Sequence, residues 1–136
     1  MILGIDPGER RYGVAIAHPE TGLATPLEVI DARSTDPIAR IGELIDEKAI
    51  TTIVVGIPVG LSGRRGPAAH ERQRFTAELR DATSLPIEEF DERFTTVVAH
   101  RGLRSGGARR KARRGVVDAV AAQVMLQGYL DRTAPR

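Results

Sequence analysis

Residues 1–17, MILGIDPGERRYGVAIA, restrict the fold of this chain more than any other stretch. Residues 1–5 are an apolar run too short for a helix and closed by turn residues, which predicts a buried strand. Pro7-Gly8 turns the chain, and a second apolar run begins at Tyr12. The pattern is a hairpin with Asp6 at its rim. A carboxylate at the end of a central strand loses hydration, a cost that hydrogen bonds, a cation or a metal must offset. Asp6 therefore either caps the Pro7-Gly8 turn or belongs to a site.

The length of 136 residues suits one domain, expected to span 1–136, with enough chain to bury a core without staples. The sequence contains no cysteine, so disulfides, thiolate metal sites and cysteine nucleophiles are excluded. No apolar run approaches the roughly 18 residues that cross a bilayer, and the chain opens on a strand rather than a signal peptide. A cytoplasmic protein with no membrane partner is expected. The net charge of +2 says little, but its distribution says more. From Arg93 to Arg114 there are eight Lys or Arg and no Asp or Glu. Such a run is either a solvated face or a surface for a polyanion.

Further along, the turn at 18–22 leads to a third extended stretch around 24–31, completing an antiparallel meander. The period then changes: Ile38, Ile41, Leu44 and Ile45 share one helical face, with Thr35 or Asp36 as cap and Pro37 at the first helical position. Residues 51–58, TTIVVGIP, are apolar and β-branched, as in a strand covered on both faces and parallel to its neighbour, with Gly56 and Pro58 ending it. A glycine-rich loop with Arg64 and Arg65 follows, and Pro67 opens a second helix to about residue 82, with Ala68, Ala69, Phe75 and Leu79 inward and Glu71, Arg72, Arg74, Glu78 and Arg80 wet. Residues 85–90 read as a fifth strand. Thr95 caps a short helix ending at Ser105-Gly106-Gly107. A basic linker, ARRKARR, precedes a last helix from about 116 to 129. The order β-β-β-α-β-α-β-α-α predicts an α/β fold with a mixed sheet, antiparallel meander plus parallel strands, and helices on both faces. Ligands of such sheets bind at strand ends near a topological switch.

Two more carboxylates bear on the choice at Asp6. Glu92 follows the fifth strand and is either an exposed terminus or a site residue. Asp118 interrupts VVDAVAAQVML, so it faces the core or its edge. It either pairs with an arginine such as Arg11 or Arg93, sits in the favourable first turn of its helix, or joins the site. The small Ala119, Ala121 and Ala122 would let this helix approach the sheet closely. Converging carboxylates raise each other's pKa unless a cation intervenes. An all-carboxylate set favours Mg²⁺ or Mn²⁺, one ion or two, over zinc, and paired ions about 4 Å apart can activate a water and stabilise a leaving oxygen. His18, His70 and His100 lack ligand-like spacing and are expected at the surface. Ser62 and Thr95 have no nearby base, which argues against nucleophilic catalysis.

Four blocks together resemble one known family. GIDPGERRYGVA (4–15), VVGIP followed by the glycine-rich loop and GP (54–67), DERFTT (91–96) and VVDAVAA with LQGYL (116–130) stand in the order and spacing of the YqgF/RuvX family, over essentially the whole chain. The resemblance implies an RNase H-like fold with a five-stranded mixed sheet, and a divalent-metal-dependent nuclease in a bacterial cytoplasm. It implies 5′-end maturation of pre-16S rRNA, with cleavage of four-way DNA junctions as the older inference for the family. It carries the acidic positions onto Asp6, Glu92 and Asp118 as catalytic and metal-binding residues. Arg10, Arg11 and Arg93 match its basic positions and suit phosphate oxygens. Arg109, Arg110, Lys111, Arg113 and Arg114 extend that basic surface, and Arg64 and Arg65 make the loop after Pro58 more basic than the family pattern. Val98 stands where the family has glutamate, which removes half a capping box. A monomer or weak homodimer is expected; junction resolution would ask for a symmetric dimer. Two other readings remain: a nucleic-acid-binding factor without catalysis in transcription or translation, and the phosphate hairpin of actin-like ATPases and sugar kinases. The second of these needs another domain to close over the nucleotide.

Overall fold

The computed structural model describes residues 1–57, 67–92 and 110–133, with side chains outside 67–69 and 110–117. The elements run β1 (Ile2–Asp6), β2 (Arg11–His18), β3 (Leu23–Asp31), α1 (Pro37–Glu47), β4 (Thr52–Ile57), α2 (Pro67–Ala82), β5 (Ile87–Asp91) and α3 (Arg110–Thr133). The five strands form one sheet in the order β3-β2-β1-β4-β5. β1 is antiparallel to β2 and parallel to β4, so the meander and the parallel half meet on it. The first apolar run of the chain thus becomes the central strand and carries the topological switch.

Alternation along β1 divides the protein into two layers. Leu3 and Ile5 point to a core shared with Ile41 and Leu44 of α1 and with Phe75 and Leu79 of α2. Gly4 points the other way: a Cβ there would lie 2.9 Å from Leu126 Cβ of α3. On that face Ala15, Ala17 and Ala24 pack against Ala121, Ala122, Met125 and Leu126. Each bulky side chain fully buried in the first layer contributes roughly 2 kcal/mol by leaving water, a contribution the alanines cannot match.

Local signals set the ends of α1. Asp36 is its N-cap, its Oδ1 accepting from Ile38 N at 3.0 Å, and Pro37 follows at the first helical position. Arg40 ties α1 to β3 through a two-pronged bond to Glu28, Nε to Oε2 at 2.9 Å and a terminal nitrogen to Oε1 at 2.8 Å. On the other face, Gln123 and Gln127 of α3 hydrogen-bond the edge of β3: Ala24 N donates to Gln127 Oε1 at 2.9 Å and Gln123 Nε2 donates to the Ala24 carbonyl at 3.1 Å. Part of an exposed strand edge is therefore satisfied by side chains.

Three expectations change. The basic stretch read as a linker is helical from Arg110, and α3 continues to Thr133; arginine and lysine are good helix formers and need no apolar period to extend a helix already packed further on. Gly56, read as helping to end the fourth strand, lies inside β4 opposite Phe90. Arg72, read as wet, is half-buried. The short helix expected from Thr95, with Val98 and His100, lies outside the described residues, as does the loop with Ser62, Arg64 and Arg65. His18 and His70 are exposed as expected. Among the described residues no helix is long and apolar enough to cross a membrane.

Candidate active site

Asp6 ends β1 opposite Gly13 of β2. Paired residues in adjacent strands project to the same face, so Asp6 lies on the α3 side, as Gly4 does. The register of β4, with Ile5 opposite Val55, brings Gly56 level with Asp6 on the other flank. Glycines therefore stand on both neighbouring strands at the height of the carboxylate. Each makes room for something.

At Gly13 the room is taken by the backbone of α3. A Cβ on this residue would lie 2.0 Å from the Asp118 carbonyl oxygen and 3.4 Å from Ala122 Cβ. No side chain fits, so Gly13 fixes the approach of the helix and places Asp118, half-buried, beside the end of β1. At Gly56 the room is taken by Met125 and by Glu92, whose Cδ would be 3.4 Å from an added Cβ. Glu92 stands one residue beyond β5 and is folded back over β4. It is 1% exposed and Asp6 is 6% exposed, so Glu92 is no solvated strand terminus. Oδ1 of Asp6 and both Glu92 oxygens are shut off from solvent.

All three expected acidic residues thus occupy the α3 layer at one end of the parallel strands. Among the described residues, no three His, Cys, Asp or Glu are drawn into one ready coordination set. The carboxylates share a level of the sheet rather than a closed cage. Their chemistry still fits Mg²⁺ or Mn²⁺, because such ions take hard oxygen donors and keep several waters, and one or two protein carboxylates plus substrate phosphates suffice. Two like charges out of water also need a cation to remain ionised cheaply.

Of the expected basic residues, Arg10 is exposed and Arg11 half-buried, both in the hairpin that follows Asp6. Arg110, Lys111, Arg113 and Arg114 fall in the N-terminal turns of α3, upstream of Asp118. Arg64, Arg65, Arg93 and Arg109 lie outside the described residues. The positions sequence reasoning missed are Gly13 and Gly56. For the glycines the available signal was a glycine inside an apolar strand pattern, which marks a close approach.

On the β5 side of the same layer, Tyr129 of α3 packs edge-on against Phe90, ring centroids 6.0 Å apart, and its hydroxyl donates to Glu88. Burial first, then that hydrogen bond, pushes the Tyr129 phenol up to about 12.

The central β1, its antiparallel and parallel neighbours and the helices on both faces define an RNase H-like fold. RuvC from Thermus thermophilus, solved in complex with a Holliday junction substrate, superposes with a TM-score of 0.58 over 97% of this chain and 95% of its own, at 16% identity. Fowlpox virus resolvase, solved with Holliday junction DNA, gives 0.57 over 98% and 99%, at 6% identity. These likenesses concern the fold. Sequence narrows the class: the model of the RuvX family, described as Holliday junction resolvase, matches residues 1–132. A protein of Chloroflexus aurantiacus named as a candidate pre-16S rRNA nuclease is 43% identical over 132 residues, covering 96% of this chain and 86% of that protein. One of the same name from Ruminiclostridium cellulolyticum is 39% identical over 135 residues, covering 98% and 95%. The chain belongs to the RuvX family.

Proposed function

We propose that this chain is a divalent-metal-dependent endonuclease that hydrolyses phosphodiester bonds in structured RNA, its task being 5′-end processing of pre-16S rRNA in the cytoplasm. The observation that carries this reading is the pair of buried carboxylates, Asp6 and Glu92, on one face and at one level of the sheet, with α3 held close enough to add Asp118. The names of the 43% and 39% identical relatives support the substrate class. Asp6, Glu92 and Asp118 are the residues that would hold Mg²⁺ or Mn²⁺. A metal bound there supplies a water activated for attack and charge stabilisation at the leaving oxygen.

The chain's own residues divide the remaining work. Asp6 ends the central strand, paired with Gly13 on one flank, and presents its carboxylate toward α3. Glu92 is packed over Gly56 and has little freedom to leave. Arg10 and Arg11 stand next to Asp6 in the hairpin and suit the phosphates flanking the scissile bond. The first turns of α3, with Arg110, Lys111, Arg113 and Arg114, suit the nucleic-acid backbone further away, joined in this reading by Arg64, Arg65, Arg93 and Arg109. Residues 1–136 act as one nuclease domain, as a monomer or weak homodimer.

A second reading, Holliday-junction resolution, is favoured by the likeness to two resolvases solved with junction DNA. Cleavage of a 5′-extended precursor RNA and of a four-way DNA junction in Mg²⁺ or Mn²⁺, beside Asp6→Asn, separates the two. Expected is cleavage of the RNA by the wild type and a loss of at least about 100-fold in the variant, since losing a direct ligand should exceed the roughly 10–100-fold cost of losing a group that only orients one. Paired nicks in the junction alone would favour resolution. Binding of both substrates in EDTA with no cleavage by either protein would leave a nucleic-acid-binding factor.

A further inference from the structure

The hairpin that follows Asp6 is held from two sides. On one side Gly13 receives the Asp118 carbonyl. On the other, α2 reaches it through two residues three apart on one helical face. Phe75 packs against Tyr12 at the start of β2, ring centroids 4.9 Å apart. Arg72, one turn earlier, donates from its guanidinium to the Pro7 carbonyl. Between these contacts lies a small cavity of about 50 Å³, lined by Pro7, Gly8, Tyr12, Arg72 and Phe75 among others. Beside the Tyr12–Phe75 contact, the Arg72 hydrogen bond adds a polar restraint on the turn.

We infer that Arg72 is a positioning residue that fixes, through the Pro7 carbonyl, where Asp6 presents its carboxylate. Asp6-Pro7 is a stiff unit: the proline ring locks its own φ, and the residue before it is confined to extended backbone. Between the Asp6 carbonyl and the Pro7 carbonyl oxygen only ψ of Pro7 is left soft, so a hydrogen bond that holds this oxygen steadies the end of β1. Arg72 reaches it from the α2 layer, whereas Asp6 faces α3, so Arg72 acts across the sheet edge without touching the substrate. This inference rests on the metal-dependent reading of Asp6 given above. It deepens that reading by adding a residue outside the acidic set and outside the hairpin itself.

The test is Mn²⁺ binding to the full chain, followed by calorimetry and by electron paramagnetic resonance of free Mn²⁺, together with kcat and KM for the precursor RNA. Arg72→Met removes the donor and keeps the stem; Arg72→Lys restores a donor; Arg74→Met on the exposed face of the same helix is the control. Expected is Mn²⁺ binding weakened by about 10-fold in Arg72→Met, the size of effect seen for residues that orient metal ligands. KM for RNA should stay unchanged while kcat falls, and Arg72→Lys should recover most of both. Arg74→Met should match the wild type. Unchanged Mn²⁺ affinity and kcat in Arg72→Met, with only a lower melting temperature, would overturn the inference. So would equal losses in Arg72→Lys and Arg72→Met. Asp6→Asn run in parallel separates the two levels: if it binds Mn²⁺ as the wild type does, the metal reading of Asp6 fails and the role of Arg72 falls with it.

Discussion

The two faces of the sheet are made from the same strands and serve opposite ends. Toward α1 and α2 the sheet presents Leu3, Ile5, Val14, Ile53 and Val55, and the helices answer with Ile41, Leu44, Phe75 and Leu79. Toward α3 it presents Gly4, Gly13, Ala15, Ala17 and Gly56, and the helix answers with Ala121, Ala122, Met125 and Leu126. The first face buries volume. The second gives up volume so that a helix can lie close to the strands and buried carboxylates can be packed beside it. Burying Asp6 and Glu92 costs stability, and the bulky face is where that cost is offset. On the proposed reading of the acidic residues, stability and chemistry are separable here by the parity of a residue in its strand.

Substitutions on the two faces should therefore fail in different ways. Leu44→Ala, in the bulky layer, is expected to cost about 2–5 kcal/mol in urea unfolding, from lost transfer energy and the cavity left behind. Cleavage per folded molecule should hardly change. Gly13→Ala should cost at least as much, beyond the roughly 1–3 kcal/mol of ordinary overpacked sites, because helix backbone must move. Its added methyl collides with the backbone of α3 at Asp118 rather than with a flexible side chain. Cleavage should drop well beyond what the stability loss explains. If Gly13→Ala were as active per folded molecule as Leu44→Ala, the faces would not divide the work in this way.

The smallest expected effect concerns pH. Tyr129 links α3 to β5, and its phenol is pushed up to about 12 from an ordinary value of 10.0, chiefly by burial and then by Glu88. Between those values the folded chain keeps a proton that the unfolded chain has lost. Stability contributed by the neutral phenol is thus fully present below about pH 10 and is lost as pH rises toward 12. Tyr129→Phe should flatten that alkaline decline in a series of urea melts. An unaltered decline would place the alkaline sensitivity elsewhere.

Much of the architecture was legible in the sequence. The apolar run before Asp6, the change of period at Ile38 and the β-branched run before Gly56 marked β1, α1 and β4, and their order predicted the mixed sheet. The cap at Asp36 was visible because capping is local chemistry. The acidic positions were legible as carboxylates interrupting apolar patterns, and the family resemblance singled them out. What was not legible depends on pairing register. Nothing in the chain says that Gly13 and Gly56 flank Asp6 at one height, or that Arg72 meets Pro7 across 65 residues. The start of α3 was misread because its first residues are all basic or small, and helical propensity without an apolar stripe looks like a linker.

The proposed chemistry stands or falls with metal binding on the α3 face, at Asp6 and Glu92. Crystals of the full chain soaked in Mn²⁺, measured for anomalous scattering, address it most directly. The expected result is a peak about 2 Å from carboxylate oxygens of Asp6 and Glu92, at the bonding distance of a hard divalent ion, and its loss in Asp6→Asn. A peak elsewhere on the molecule with none between these residues, or the same peak in Asp6→Asn, would contradict it.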